Sequence, residues 1–255
     1  MKVLAILGSP RRKGNTYHII EKIRMHLAAQ DKDIAFEEIW LEDYELKLCK
    51  GCFSCFARGQ STCPLKDDHA ILEEKMNQAD GIIFAAPTYA MGVPALMKNF
   101  IDRFAYTSHR PYLFDKAFMA VSTVGGIVGL KQTLTQLSML ASGGKSLVRL
   151  GVMYPPVRMA GVEKRTEKQV RKASKAFYRS LTKGKRKVPG LSDWAYFSSF
   201  KGFSETEAYQ QVSPADYEYY RDKAYFYPVE GHPLSQLLGK IMKGLMGVAI
   251  KRMTR

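Results

Sequence analysis

The four cysteines of the chain all lie between positions 49 and 63. Cys49, Cys52 and Cys55 form a CxxCxxC pattern, and Cys63 follows after seven further residues and precedes a proline. Clustered thiols in a chain of a reducing compartment indicate metal or redox chemistry rather than structural disulfides. Three thiolates on a tight loop can hold three corners of a 4Fe–4S cluster, and four thiolates also suit zinc. The spacing leaves a cluster, zinc and no metal open.

A second candidate site is the polar loop at residues 8–16 (GSPRRKGNT), which separates a short apolar run from a helical pattern. Ser9, Asn15 and Thr16 can donate hydrogen bonds, and Gly14 lets backbone N–H groups turn toward an anion at the start of the helix. The loop is neither GxGxxG nor Walker A, because Asn15 stands where the P-loop lysine would be. It therefore predicts a phosphate cradle, with an ordinary polar turn as the alternative.

Two further loops have the composition of a site for a planar ring. Residues 86–94 (APTYAMGVP) offer a tyrosine, a hydroxyl and a methionine between two stiffening prolines, and residues 122–129 (STVGGIVG) contain a glycine pair that permits close backbone approach. Each loop has a plain structural alternative, a turn with a core tyrosine or a turn that needs positive φ. The two loops indicate a binding site because both directly follow predicted strands.

The elements that must position these loops alternate along the first 153 residues. Apolar runs at residues 2–7, 34–41, 81–86, 116–122 and 145–153 predict strands, and the segments between them predict helices over 15–29, 67–78, 94–104 and 128–141. Such alternation predicts a doubly wound α/β domain with a five-stranded parallel sheet in the order 2-1-3-4-5. In that order the three loops meet where the direction of winding reverses, which is where ligands bind in open parallel sheets.

The remainder of the chain differs in charge and pattern. The net charge is +15, and residues 151–255 hold 20 of the 39 basic residues but only 9 of the 24 acidic ones. We predict a first domain over residues 1–154 and a mainly helical, aromatic-rich extension over residues 155–255, packed on that domain or on an oligomer interface. No stretch of about 20 apolar residues is free of charge, and the N-terminus is interpreted as a first strand, so a cytoplasmic location is expected.

Three motifs in one order carry a resemblance: GSPRRKGNT, CKGCFSC followed by CPLKDD, and APTYAMGVPALMKNFIDR. Over roughly residues 1–150 the sequence resembles the NADPH-dependent FMN reductase and iron-sulfur flavoprotein family, which has the flavodoxin-like fold. The resemblance implies bound FMN, NAD(P)H as electron donor and dimers or tetramers. It also implies that the flavin carries the reaction, so that no side chain is expected to act as nucleophile or general base.

The resemblance assigns roles residue by residue. It implies that the first loop holds the FMN phosphate through Ser9, Arg11, Gly14, Asn15 and Thr16. It implies contacts with the isoalloxazine ring from Pro87, Thr88, Tyr89, Ala90, Met91, Gly92, Thr123, Gly125 and Gly126. In the iron-sulfur flavoproteins the compact cysteine motif, whose last spacing varies, corresponds here to Cys49, Cys52, Cys55 and Cys63, although relatives keep similar cysteines without a cluster.

The C-terminal stretch predicts an amphipathic helix. Leu234, Leu237, Leu238, Ile241, Leu245, Ala249 and Met253 recur at helical spacing, and Lys240, Lys243, Lys251 and Arg252 fall largely elsewhere. We favour packing on the chain's own domain or at a homo-oligomer interface over peripheral contact with an anionic membrane. The basic segment 162–188 contains no known nucleic-acid recognition motif, so a solvated helix face is preferred.

Three functions compete at this point. The first is an NAD(P)H-dependent oxidoreductase that passes electrons through FMN to a small acceptor. The second is an iron-sulfur flavoprotein that carries electrons between a ferredoxin-like, acidic partner and FMN. The third, a non-catalytic flavin-binding module, is disfavoured by the intact phosphate and ring loops, and the cysteines are the feature that separates the first two.

Overall fold

A computed structural model describes residues 1–155, 157, 159–184 and 186–253. Pro156 of the predicted domain boundary and the last two residues of the predicted C-terminal helix therefore lie outside the described residues. The chain forms two compact units, each built from separate stretches of sequence. Unit 1 comprises residues 1–49, 66–105 and 115–186, and unit 2 comprises residues 50–65, 106–114 and 187–255.

Unit 1 contains the predicted sheet. Its strands are β1 (Lys2–Leu7), β2 (Ala35–Trp40), β3 (Gly81–Pro87), β4 (Ala117–Val124) and β5 (Ser146–Met153). All neighbouring strands pair in parallel, and the order is β2-β1-β3-β4-β5. The predicted α/β class, strand number and strand order are confirmed.

The helices of the described chain are, in order, α1 (Asn15–Ala28), α2 (Ser54–Arg58), α3 (His69–Gln78), α4 (Ala95–Arg103), α5 (Tyr106–His109), α6 (Leu130–Met139), α7 (Val162–Thr182), α8 (Leu191–Ser204), α9 (Glu207–Val212), α10 (Pro214–Tyr220) and α11 (Pro233–Met253). Helices α1, α3, α4, α6 and α7 belong to unit 1, and the others belong to unit 2. Among the described residues, no helix is both long and apolar enough to cross a bilayer.

Both faces of the sheet are covered: every residue of β4 is buried, and so is every residue of β3 but its last. On one face, residues of β1, β3 and β4 pack against Ile19 and Ile23 of α1 and Phe177 of α7. On the other face, Phe84 stacks on Phe118 at 5.9 Å. Each fully buried large side chain contributes roughly 1.5–3 kcal/mol to folding, so this core holds the loops at the strand ends in place.

Helix α7 extends unit 1 beyond the predicted boundary after residue 154. Its Phe177 and Leu181 come so close to β3 that a Cβ atom on Gly81 would lie within 2.8 Å of both side chains. The contacts therefore divide the chain differently from the prediction: α7 completes the sheet's cover, and the cysteine-bearing residues 50–65 belong to unit 2. The boundary at 154 stays a prediction about independent folding.

The core of unit 2 is aromatic. Trp194 and Phe197 of α8 pack with Tyr220 and with residues 225–227. Many of the ring pairs are tilted or edge-to-face, such as Trp194 with Tyr225 at 4.4 Å and Phe197 with Phe226 at 5.0 Å. Aromatic side chains supply large buried areas without a strict helical repeat, which explains why this stretch shows little periodicity in sequence.

Candidate functional site

The phosphate loop begins with a close approach between backbone and helix. The N–H of Gly8 donates to the carbonyl of Ala85 at 2.8 Å, which continues the pairing of β1 and β3. A Cβ atom on Gly8 would lie 2.5 Å from Cβ of Met97 in α4, so only glycine fits there. The chain therefore leaves β1 directly between two neighbouring elements and then turns into α1.

The rest of this loop is folded around Arg11. The Oγ of Ser9, which is buried, accepts a hydrogen bond from the N–H of Arg11 at 3.2 Å, and the N–H of Gly14 donates to the Arg11 carbonyl at 3.2 Å. Within the described residues, no side chain caps α1 at Gly14. Since the first N–H groups of a helix have no partner inside it, this end of α1 offers donors and a positive dipole end to an anion.

The two arginines of the loop differ in their surroundings. Arg12 pairs with Asp43, and its guanidinium lies 5.0 Å from the centre of the Trp40 ring. Arg11 is exposed beside the loop, as is Asn15. Arg12 thus contacts Asp43 and Trp40 within the protein, whereas Arg11 and Asn15 face solvent at the start of α1.

The loop after β3 contains a tight reverse turn. Tyr89 and Gly92 exchange both backbone hydrogen bonds at 2.8 and 2.9 Å. The two residues between them, Ala90 and Met91, have positive φ of 46° and 69°. Two successive residues with positive φ are typical of a type I′ turn. This conformation is strained for residues with a Cβ atom, and such strained residues are found mainly at functional sites. The turn leaves Tyr89 and Met91 exposed.

Hydroxyl groups join the three loops into one site. Thr16 Oγ1 lies 2.7 Å from Thr123 Oγ1, which links the phosphate loop with the end of β4. The N–H of Thr88 donates to the carbonyl of Thr123 at 2.8 Å, and its Oγ1 lies 3.2 Å from Oγ of Ser122. The structure thus brings the loops after β1, β3 and β4 together at one edge of the sheet.

Three residues that sequence reasoning did not single out support this edge. Gly129 has φ of +87°, and a Cβ atom there would lie 2.7 Å from Thr88 Cγ2 and 2.9 Å from Met91 Cα. Thr133 Oγ1 donates to Thr88 Oγ1 at 3.0 Å, and Gln136 Oε1 accepts from the N–H of Val93 at 2.9 Å. The only sequence signal was a third glycine at the end of STVGGIVG.

The glycine pair after β4 borders open space. Gly125 and Gly126 are exposed, and a Cβ atom on Gly126 would meet nothing within 4 Å. The neighbouring Ile127 is also exposed. A flat ligand can approach the backbone here without displacing a side chain. The hydrogen-bond donors of the phosphate loop, the uncapped start of α1 and the open space beside Gly126 together fit a phosphate joined to a planar ring.

Comparison with known families agrees with this geometry. A family model described as NADPH-dependent FMN reductase matches residues 1–154. The chain belongs to this family. The predicted family is confirmed.

Individual relatives add detail. An iron-sulfur flavoprotein of Archaeoglobus fulgidus is 34% identical over 160 residues, which cover 62% of this chain and 76% of the relative. A second iron-sulfur flavoprotein of the same organism is 32% identical over 50% of this chain and 56% of its own length, so the match spans little more than half of that relative. A solved NADH:FMN oxidoreductase shares the fold, with a TM-score of 0.53, 23% identity and coverage of 73% and 94% of the two chains.

The first cysteine of the chain, Cys49, lies in unit 1. The N–H of Cys49 donates to Oδ1 of Asn99 at 3.0 Å, and Nδ2 of Asn99 donates to the carbonyl of Leu46 at 2.8 Å. Nearby, the buried Arg103 and Asp67 form an ion pair. Burial by itself raises the pKa of Asp67, but its hydrogen bonds from Arg103 and from backbone N–H groups outweigh that effect and lower it. The chain that leads into Cys49 is therefore firmly held.

The other three cysteines lie in unit 2. Cys52 is exposed, and the backbone N–H and hydroxyl of Ser54 lower the pKa of its thiol by hydrogen bonding. Arg110 donates to the carbonyls of Cys55 and Phe56 and so anchors α2. Within the described residues, no cluster of three or more His, Cys, Asp or Glu side chains has the arrangement of a metal site. The three thiols of unit 2 as placed do not form a metal site.

The anchor of α2 rests on a buried carboxylate. Asp216 is fully buried and accepts hydrogen bonds from Arg110, from the Tyr209 hydroxyl at 2.9 Å and from His109 Nδ1 at 3.0 Å. Burial alone raises the pKa of Asp216, but the hydrogen bond with His109 and the charge of Arg110 outweigh it and lower the pKa. Sequence analysis did not single out any member of this network.

Proposed function

We propose that the protein takes hydride from NAD(P)H and passes electrons through bound FMN to a small-molecule acceptor. One observation carries this proposal: the hydrogen bonds of Thr16 and Thr88 to Thr123 tie the phosphate and ring loops into a single site at the switch point of the sheet. Ligands of open parallel sheets bind at this point. Family membership supports the chemical class, and the geometry supports this position for the cofactor.

We propose that the phosphate of FMN sits at the start of α1. The N–H groups of the first turn and the hydroxyls of Ser9 and Thr16 would donate to its oxygens, and Arg11 would add a charge-assisted contact. The proposed phosphate ligands are Ser9, Arg11, Gly14, Asn15 and Thr16.

The ring would lie between the turn after β3 and the glycine pair after β4. The proposed ring contacts are Pro87, Thr88, Tyr89, Ala90, Met91, Gly92, Thr123, Gly125 and Gly126. The bound flavin supplies the hydride and electron chemistry. The strained turn at Ala90 and Met91 would fix the position of the ring. The exposed glycines would leave one side of the ring accessible to the electron donor and the electron acceptor.

An arginine substitution tests the phosphate assignment. We expect Arg11→Ala to weaken FMN binding about tenfold, since a hydrogen bond to a charged group contributes ~1.5–3 kcal/mol, and to leave riboflavin binding unchanged. Fluorescence quenching of each flavin measures the two affinities. Arg12→Ala is the matched control, because Arg12 is paired with Asp43. An equal loss for FMN and riboflavin in Arg11→Ala would contradict the assignment.

We retain electron transfer through an iron-sulfur cluster as a second candidate, because the two relatives reported above are iron-sulfur flavoproteins and the chain has the CxxCxxC spacing. In this case a ferredoxin-like protein would be the redox partner. Since the thiols as placed do not form a metal site, we derive no step through a cluster.

Metal analysis of protein purified without oxygen separates the candidates. The reductase proposal predicts less than about one iron per chain, with Cys49, Cys52, Cys55 and Cys63 holding zinc or no metal, whereas a 4Fe–4S cluster requires about four. Iron, zinc and acid-labile sulfide are measured on one sample. Iron and sulfide near the cluster stoichiometry would replace the first candidate by the second.

We further propose that the protein is cytoplasmic and that it forms a homo-oligomer, of which the family resemblance implies the oligomer. Size-exclusion chromatography with light scattering measures the number of chains, and a monomer at all protein concentrations would refute the oligomer.

A further inference from the structure

Helix α11 packs on α8 through its small residues. A Cβ atom on Gly239 would lie 2.8 Å from the Trp194 ring, and Ser235 accepts a hydrogen bond from Trp194 Nε1 at 3.0 Å and donates to the carbonyl of Pro189 at 2.7 Å. Farther along, Ile250 is buried against Gly202. This face of α11 makes the contact with its own unit, together with Leu238 and Met242, which pack against the aromatic core.

The opposite face of α11 is aliphatic and exposed. We define the α11 stripe as Leu234, Leu237, Ile241, Leu245 and Val248, which follow one another at intervals of three or four residues. Each keeps between 48% and 79% of its surface exposed. The intervals place the five side chains on one side of the helix. Packing of the leucine-rich face on the chain's own domain or at a homo-oligomer interface stays a prediction; of that face, Leu238 packs against the aromatic core of unit 2.

Basic residues flank the α11 stripe. Lys240 follows Leu237 by three residues, and Lys251 and Arg252 follow Val248 by three and four, so all three lie on or beside the stripe. All three are exposed. The helix from 233 to 253 contains no Asp or Glu.

The acidic residues nearest to α11 lie on its other side. Glu205, Asp222 and Glu230 line a cavity of about 740 Å³ together with Lys240 and Lys243, over the aromatic floor formed by α8. Among the described residues, no member of the α11 stripe lines this cavity. The cations at the end of the stripe, Lys251 and Arg252, are therefore not balanced by these carboxylates.

The charges distinguish between two occupants of the α11 stripe. A second copy of the chain, stripe against stripe, would bring two helices together that each carry four basic residues and no acidic ones. Like charges at such an interface oppose association. An anionic lipid surface offers the complementary charge to the same cations and an apolar layer to the aliphatic side chains.

We propose that α11 binds the surface of an anionic membrane, lying parallel to it with the stripe inserted at the boundary between headgroups and acyl chains. Lys251 and Arg252 contact lipid phosphates, while the Gly239 face stays on α8. This proposal goes beyond the redox function and does not depend on it. The absence of a membrane-spanning helix in the described part of the chain agrees with a surface-bound mode.

Vesicle sedimentation of the full chain tests the proposal. We expect binding to vesicles that contain phosphatidylglycerol, weaker binding as salt rises, and no binding to pure phosphatidylcholine. The double variant Lys251→Glu/Arg252→Glu should lower the partition coefficient at least about 25-fold, since each basic residue near an anionic surface contributes about fivefold.

A stripe variant and its control separate insertion from general charge attraction. Leu245→Glu should abolish vesicle binding, whereas Val212→Glu, equally exposed in the same unit but on α9, should only reduce it slightly. Unchanged far-UV circular dichroism verifies that both variants fold. The proposal is overturned if the wild type does not bind anionic vesicles, if it binds neutral vesicles as well, or if Val212→Glu loses as much binding as Leu245→Glu. It is also overturned if light scattering shows a dimer that Leu245→Glu converts to monomer.

Discussion

Replacing Gly129 with valine should lower the affinity for FMN about 100-fold while the sheet remains folded. At φ of +87° a β-branched residue is strained by about 1–3 kcal/mol, and its Cβ would also collide with Thr88 Cγ2 at 2.7 Å and Met91 Cα at 2.9 Å. The strain is relieved by moving the loop that we assign to the flavin ring. Isothermal titration with FMN measures the loss directly.

Gly184→Val is the control for this experiment. Gly184 is exposed, its φ is not positive, and a Cβ atom there would meet nothing within 4 Å. The control should bind FMN like the wild type. If Gly129→Val binds FMN normally while its circular dichroism is unchanged, then the loop that contains Thr88 and Met91 does not contact the ring. The site must then be reassigned.

A second large effect is expected at Asp216. Asp216→Asn leaves the guanidinium of Arg110 buried without its counter-charge, and breaking such a buried pair costs about 3–5 kcal/mol in free energy of unfolding. Thermal unfolding at neutral pH should show a decrease in Tm of at least about 6 °C for a chain of this size. Asp222→Asn, at an exposed carboxylate that pairs with its neighbour Arg221, is the control and should change Tm little.

The effect of Asp216→Asn should depend on pH in a defined direction. Because the folded protein lowers the pKa of Asp216, the ionised carboxylate stabilises the native state at pH values above the ordinary aspartate pKa of about 4. This stabilisation is lost as the pH falls through the lowered pKa. The difference in Tm between wild type and Asp216→Asn should therefore be largest near neutral pH and shrink below about pH 4. A difference that stays constant or grows in acid would contradict the ion-pair explanation.

The sheet was predictable because its strands carry simple signals. The runs VLAIL and GIIFAA are apolar at every position, as is typical of a central strand covered on both faces, and the segments between strands show helical spacing. Strand order then places the loops after β1, β3 and β4 at one edge without any knowledge of side-chain contacts.

The support of the site was not predictable, because it depends on contacts between distant residues. Thr16 and Thr123 are 107 positions apart, and neither has a sequence context that indicates a hydroxyl pair. Gly129 is recognisable as a turn residue, but its collision with Thr88 becomes apparent only when β3 and β4 are paired.

Unit 2 could not be predicted as a domain from consecutive sequence. It combines three separate stretches of sequence, and its aromatic core has no regular repeat. The amphipathic pattern of α11 was recognised, but the pattern could not tell that Gly239 and Ser235 would contact Trp194 of α8.

The most direct test of the proposed function is the anaerobic absorption spectrum of FMN-loaded protein before and after addition of NADPH. We predict that the chain retains about one FMN through gel filtration and that NADPH bleaches the flavin bands within the time of mixing. A protein that emerges without flavin, or whose bound flavin stays oxidised with both NADPH and NADH, would contradict the proposed reductase.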